Sequence, residues 1–424
     1  MTMSDSEAAY ASSRLDRALL LVLLVGTLAS LPLTVRDFWD ARPDAARYLL
    51  AARALADGQG YTVMGEPFRL RPPGFSALLA PLVAWRGFDF ELLNLCTSLT
   101  GVAAVVLLYL LVLPRTGAWI AFGVAVVAWL NPQLQALCNQ VMSDVPALAL
   151  ALLALLLARR TNERPSSLGR EAVLVATLVA GAYVRSANVL LVPAIVLERA
   201  SRRWLGVPRS ASAADGTLAP GAPGDEARDV VAPNEPEPTR PFVWRRLVAP
   251  VVLFTMLYLP WLATPSYVSQ YDSPDLRSYT TAFLRSDPND ADAPALGAAG
   301  WAERVADNAT AYAALLATAM TSRRPSHAAP LVALLALGAL LFVLVRRREA
   351  PEWFALASWV VIAGYYVAQA RLLLPVYVLA IAALAESAQV LVARVASRTA
   401  ALRAVTTALL AVALAQRFGD PRPN

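Results

Sequence analysis

Solid runs of apolar residues, nearly free of charge, alternate along this chain with short polar stretches. They lie at 18–35 and at about 91–113, 117–136, 145–158, 171–184, 187–198, 247–263, 328–345, 353–369, 372–393 and 400–416. Most are about as long as an α-helix needs to cross a bilayer, roughly 20 residues. The pattern predicts an all-α, polytopic integral membrane protein with about 11 transmembrane helices, the pair across 171–198 being short and interrupted. A shorter run, Gly74–Trp85, predicts an interfacial helix. Unbroken apolar runs do not alternate as the strands of an outer-membrane barrel do.

The first run follows Arg14 and Arg17, and Leu28-Ala29-Ser30 would serve as a signal-peptide cleavage site. The many runs behind it favour an uncleaved first span, with 1–17 as a cytoplasmic tail. Between Arg209 and Arg240 the chain is rich in Ala, Pro, Gly and acids without an apolar period, which predicts a disordered linker. The expected organisation is an N-terminal transmembrane module over 18–200 with an outer loop at 36–90, a cytoplasmic linker over 201–245, a C-terminal module over 246–416 with an outer loop at 264–327, and a tail over 417–424. No internal repeat is visible, which argues against transporters built from two related halves.

Composition agrees. Of 424 residues 57% are hydrophobic and 16% charged, with a mean hydropathy of +0.50. Soluble domains have roughly 45–50% and about 25%. A soluble enzyme, a disulfide scaffold and a disordered chain are therefore excluded. The net charge of +6 comes from 37 basic and 31 acidic residues, and every basic residue is arginine. The arginines cluster between apolar runs, a pattern of topology rather than of nucleic-acid binding. The basic loops 159–164, 199–209, 346–348 and 394–403 all fall on one side if the N-terminus is cytoplasmic. The segments 36–90, 131–144 and 264–327 then face outward. The expected location is the inner (plasma) membrane of a bacterium, crossed many times. Cys96 and Cys138 supply no disulfide framework, although a pairing between them stays open, and the single His327 excludes a His-rich metal site.

The stretch 36–73 carries most of the chemistry. Pro43 and Asp44 are helix-start signals and Gly58 a stop, with Tyr48, Ala51, Ala52 and Leu55 on one face. This predicts a short amphipathic helix on the outer surface, followed by a turn at Gly58-Gln59-Gly60-Tyr61 and a stiff approach through Arg71-Pro72-Pro73-Gly74.

Asp44, Tyr48, Gly58-x-Gly60-Tyr61, Arg71-Pro72-Pro73-Gly74 and Leu78-x-x-Pro81-Leu82 together resemble the first outer loop of the GT-C membrane glycosyltransferases. The likeness is strongest to bacterial relatives of the protein O-mannosyltransferases and of the lipid A aminoarabinose transferase. Asn131-Pro132 with Met142-Ser143-Asp144-Val145-Pro146, and Tyr183-Val184-Arg185, extend it over roughly 18–200. The resemblance implies inverting transfer of a sugar from a polyprenyl-phosphate donor to an acceptor hydroxyl of a glycan, lipid or protein, at the non-cytoplasmic face. The chain has no Gly-rich nucleotide loop, so no nucleotide cofactor is expected; no metal is expected either, the alternative being a divalent ion held by Asp44 and Asp144 as in the oligosaccharyltransferase branch. In many relatives a second acid follows the aspartate; here that position is Ala45.

On this reading Asp44 is the expected general base, its alternative being a helix-start acid that interacts with the helix dipole. Arg71, Arg185 and Arg371 are candidate phosphate ligands, or arginines snorkelling to lipid headgroups. Asp144, at the mouth of a span, is a candidate substrate contact or a helix cap, and Tyr48 shares the face of the first-loop helix. Asp37 and Asp40 are loop acids that could stand in for Asp44. In the loop 264–327, Tyr267, Tyr271, Asp272, Asp275, Tyr279, Trp301, Glu303 and Asp307 could hold a sugar or form a cap. A transporter or flippase for a lipid-linked sugar, or an inactive GT-C-like scaffold, are the alternatives to an enzyme.

Overall fold

A computed structural model describes residues 5–163, 168–205, 243–263, 283–287, 293–321 and 329–418. Most of the expected linker lies outside the described residues, as do Tyr267, Tyr271, Asp272, Asp275, Tyr279, His327 and the end of the chain from 419. Fifteen α-helices and one two-stranded hairpin occur among the described residues. The helices are α1 Asp5–Thr34, α2 Pro43–Ala56, α3 Gly74–Arg86, α4 Phe90–Thr116, α5 Ala118–Leu130, α6 Pro132–Cys138, α7 Asp144–Glu163, α8 Leu168–Val184, α9 Leu191–Leu205, α10 Val243–Leu262, α11 Ala298–Thr321, α12 Ala329–Arg347, α13 Ala350–Ala363, α14 Leu374–Val392 and α15 Arg398–Phe418.

Every predicted apolar run is helical at its core. Five helical segments are long and apolar enough to cross a membrane, or six if the bent pair α5–α6 is one span, by length and composition and among the described residues. This is the pattern of a multi-pass membrane protein. The bend of 61° between α5 and α6 has a local cause. Pro132 has no N–H to continue the ladder, and the Asn131 side chain accepts instead from the N–H groups of Gln133 (3.0 Å) and Leu134 (3.1 Å).

Both helices expected in the first loop are present, but α2 is buried more deeply than a surface helix. Ala45, Tyr48, Leu49, Ala51, Ala52 and Ala54 are all buried, whereas Leu50 faces outward. Its partner is α3: the rings of Tyr48 and Phe75 meet edge to face at 5.0 Å. Between them the strands β1 (Thr62–Val63) and β2 (Glu66–Pro67) form a hairpin. Its turn residues Met64 and Gly65 both have positive φ, 55° and 86°, as a two-residue hairpin turn requires.

The halves on either side of 206–242 interlock. Asn131 donates to the carbonyl of Ala319 (2.7 Å) and Gln133 to that of Ala370 (2.6 Å). At the C-terminal end of α4 Arg115 bonds Glu349 (2.5 Å) and Glu352 (2.6 Å). Arg202 bonds Glu198 (2.9 Å), Arg199 bonds Glu171 (3.0 Å), and Arg347 pairs with Glu386. Several arginines that read from sequence as loop charges are thus partners of buried acids.

Candidate active site

The end of the bundle that carries α2 and α3 gathers six of the residues picked out from the sequence: Asp44, Tyr48, Arg71, Asp144, Arg185 and Arg371. Asp44 sits in the first turn of α2 and is only 9% exposed. Arg371 arrives from the turn Ala370–Leu373 before α14 and places Nη2 2.8 Å from Asp44 Oδ2. Arg71, from the approach to α3, places Nη2 3.3 Å from Oδ1 and 3.4 Å from Oδ2. Arg47, one turn along α2, stands 3.7 Å from Oδ1. Burial by itself would push the Asp44 carboxyl upward. The charges and hydrogen bonds of Arg71 and Arg371 outweigh it, and the group is held at about 2, below the ordinary aspartate value.

A second pair lies beside the first. Arg185, at the end of α8, places Nη2 3.0 Å from Oδ1 of Asp144, the first residue of α7. Both Asp144 oxygens are buried and accept no hydrogen bond among the described residues, so its charge is met by the ion pair with Arg185 and by the nearby charge of Arg371. Ser143 joins the two parts: its hydroxyl lies 3.0 Å from the Tyr48 hydroxyl and accepts from Arg185 Nη1 (3.3 Å). Burial raises the Tyr48 phenol above its ordinary value.

A cleft opens beside these groups. Asp144, Arg185 and Arg371 supply its charged lining, and Leu148, Phe354 and Ile362 belong to its apolar walls. An anionic head attached to an apolar chain matches that division of chemistry.

Several residues that hold this arrangement were not picked out from the sequence. Asn139 accepts from the Arg36 N–H (2.8 Å) and donates to the Thr34 carbonyl (2.9 Å), and Gln140 bonds Asp40 (2.5 Å). Asp40 also pairs with Arg42 (3.2 Å), so it fastens the loop rather than sharing the Asp44 cluster. Gln133, Asn139, Gln140 and Ser143 all come from the stretch 131–144, where uncharged polar residues interrupt an apolar sequence. That density of amides in a membrane chain was the available signal. In the second loop, Trp301 is 40% exposed, and nothing described joins it, Glu303 or Asp307 to the cluster. Cys96 and Cys138 are both free.

Gly74 explains its own place in the Arg-Pro-Pro-Gly motif. A Cβ there would lie 2.6 Å from the backbone of Tyr183, so α3 packs directly on the end of α8, two residues before Arg185. One glycine therefore sets the distance between the elements that carry Arg71 and Arg185.

No protein-family model matches the chain, and no curated protein matches it either. Among solved structures it is similar to ArnT from Cupriavidus metallidurans bound to undecaprenyl phosphate. Identity is 13% and the TM-score 0.52, over 94% of this chain and 75% of that one. The apo state of the same ArnT aligns over 97% and 76%, with 13% identity and a TM-score of 0.49. At such identity the likeness is one of fold. The chain resembles ArnT in its fold, that of a GT-C membrane glycosyltransferase, in accord with the motifs between Asp44 and Leu82.

Proposed function

We propose that this protein is a membrane glycosyltransferase that moves a sugar from a polyprenyl-phosphate donor to an acceptor hydroxyl at the non-cytoplasmic face, with inversion and with Asp44 as general base. One observation carries the reading: a buried carboxylate is held between Arg71 and Arg371, and Arg371 also lines a mostly apolar cleft. The ArnT of similar fold is known bound to undecaprenyl phosphate, which supports a lipid-phosphate donor here. The basic loops that share the opposite end of the bundle support an outward-facing site.

Charge supports it as well. The cluster sets Arg47, Arg71, Arg185 and Arg371 against Asp44 and Asp144, four less two, an excess of two positive charges. The donor is a phosphodiester with one negative charge; the leaving polyprenyl phosphate is a monoester that gains another. Guanidiniums fixed in a poorly hydrated site hold the product-like charge better than the starting one, and that difference accelerates the reaction. The acceptor oxygen forms its bond to the anomeric carbon while the carbon–phosphate-oxygen bond breaks. The electron pair leaves with the phosphate and the acceptor proton passes to Asp44.

Without donor, Asp44 is a weak base because two arginines stabilise its charge. An arriving phosphate competes for the same guanidiniums and loosens that hold, so the base strengthens as the donor binds. The missing second acid of the first loop fits this scheme: Ala45 is fully buried, and Asp144 brings another carboxylate from α7. No nucleotide and no metal enter the proposal.

The test is purified protein in liposomes with labelled polyprenyl-phosphate sugars and a set of glycan, lipid and protein acceptors. Transfer supports the reading. No transfer from a broad donor panel, beside an active control, overturns it and favours a transporter or an inactive scaffold.

A further inference from the structure

Arg371 makes three different contacts with its three nitrogens. Nε donates to Gln369 Oε1 at 2.8 Å, Nη2 donates to Asp44 at 2.8 Å, and among the described residues Nη1 makes its one hydrogen-bond contact with the Met142 sulfur at 4.0 Å, with the charge of Asp144 nearby. Arg371 also lines the cleft. The planar guanidinium cannot turn one nitrogen without turning all three. Whatever fixes Nε therefore fixes where Nη1 and Nη2 point.

Gln369 is built for that task. It precedes the turn Ala370–Leu373, but its side chain makes no capping bond to the turn and reaches Arg371 instead. Its backbone N–H donates to the Tyr312 hydroxyl (3.2 Å) and its carbonyl accepts from the Leu372 N–H (3.0 Å). The next carbonyl, Ala370, is held by Gln133 (2.6 Å), and the stretch before it by Asn308, which donates to Ala363 (2.9 Å). Residues of α6 and α11 thus anchor the backbone on both sides of Gln369.

We propose that Gln369 is the positioning residue that orients Arg371, aiming Nη2 at Asp44 and leaving Nη1 to receive the phosphate of a lipid in the cleft. The proposal rests on the reading of the cleft as a lipid-phosphate site. Gln369 touches no substrate and acts only through the guanidinium. Losing the orientation weakens phosphate binding about tenfold or more, as expected when a hydrogen bond to a charged group is lost.

The test uses the full-length protein in nanodiscs and two lipids of equal chain length, a polyprenyl phosphate and the uncharged polyprenol. Gln369→Leu nearly preserves volume while removing the acceptor oxygen, and Gln369→Ala is the second variant. The expected result is a loss of about tenfold or more for the phosphate, unchanged polyprenol binding and an unchanged melting temperature. Equal losses for both lipids, failure of both variants to fold, wild-type affinity for the phosphate, or no phosphate binding by the wild type would each overturn the proposal. Phosphate binding by the wild type without transfer from any donor removes the transferase reading and leaves the Gln369 result to be judged by the lipid comparison.

Discussion

Arg371 reaches back over 327 positions of sequence to place its Nη2 2.8 Å from the Asp44 carboxylate. The contact joins the first loop to the turn before α14 and makes the site a joint property of both halves. Arg371→Ala should leave Asp44 with Arg71 and Arg47 as its remaining cations. Its pKa should then rise towards the ordinary range, and polyprenyl-phosphate binding should fall about tenfold or more, as expected when a charged hydrogen bond is lost. Titration of lipid binding in the variant checks both.

The ion pairs of Asp44 also make stability depend on pH. The folded-state pKa is about 2, against about 3.9 in an unfolded chain. A depressed carboxyl pKa contributes stability that is complete above the unfolded value and is lost as pH falls through the folded one. The window therefore runs from about pH 4 down to about 2, and the contribution is on the order of 2 kcal/mol. Melting curves in detergent between pH 5 and 3 should show a smaller pH slope for Asp44→Asn than for the wild type. Equal slopes would mean that the arginines do not hold this carboxylate.

Gly74→Ala should separate α3 from α8. The added methyl would meet the Tyr183 backbone at 2.6 Å, and backbone cannot step aside as a flexible side chain can. Overpacking of this kind costs about 1–3 kcal/mol, and it would displace Arg71 relative to Arg185. The variant should melt earlier and bind polyprenyl phosphate more weakly, whereas Gly169→Ala, where a Cβ meets nothing within 4 Å, should do neither.

At the opposite end Arg115 is the centre of a buried network. Arg115→Ala removes the ion-pair partner of Glu352 and the nearest of the arginines around Glu349, both acids being buried. Glu349 is held at about 2, because Arg115, Arg159 and Arg347 outweigh the effect of its burial. Stranding such acids costs about 3–5 kcal/mol. Unfolding measurements should show that loss, while the folded fraction should keep its affinity for polyprenyl phosphate, since the cluster at Asp44 is untouched.

Much of this was legible in the sequence because its signals are local. Pro43 opens α2, a glycine follows its end, and the apolar runs mark the long helices without reference to partners. Five of the six proposed site residues stood out because charge is scarce in a membrane chain and a charge beside a span is conspicuous; Tyr48 stood out by its place on the face of the first-loop helix. What stayed hidden depends on partners distant in sequence. The depth of α2 comes from α3 and the stretch 131–144. The Gly74 motif looked like a stiff approach, yet its glycine is there to let α3 meet α8. Gln133, Ser143 and Gln369 are ordinary polar residues until folding sets them against Ala370, Tyr48 and Arg371. The arginines near Glu198, Glu349 and Glu386 read as loop charges because no local pattern tells a solvated arginine from one paired with an acid far along the chain.

The claim that Asp44 takes the proton of the acceptor is tested most directly by measuring sugar transfer in reconstituted vesicles for the wild type and for Asp44→Asn, with polyprenyl-phosphate binding measured in parallel. The amide keeps the shape of the carboxylate and cannot act as the base. Transfer should fall about 10²- to 10⁴-fold, the usual contribution of a general base, while lipid-phosphate binding persists or tightens. A variant that transfers sugar at the wild-type rate would contradict the account.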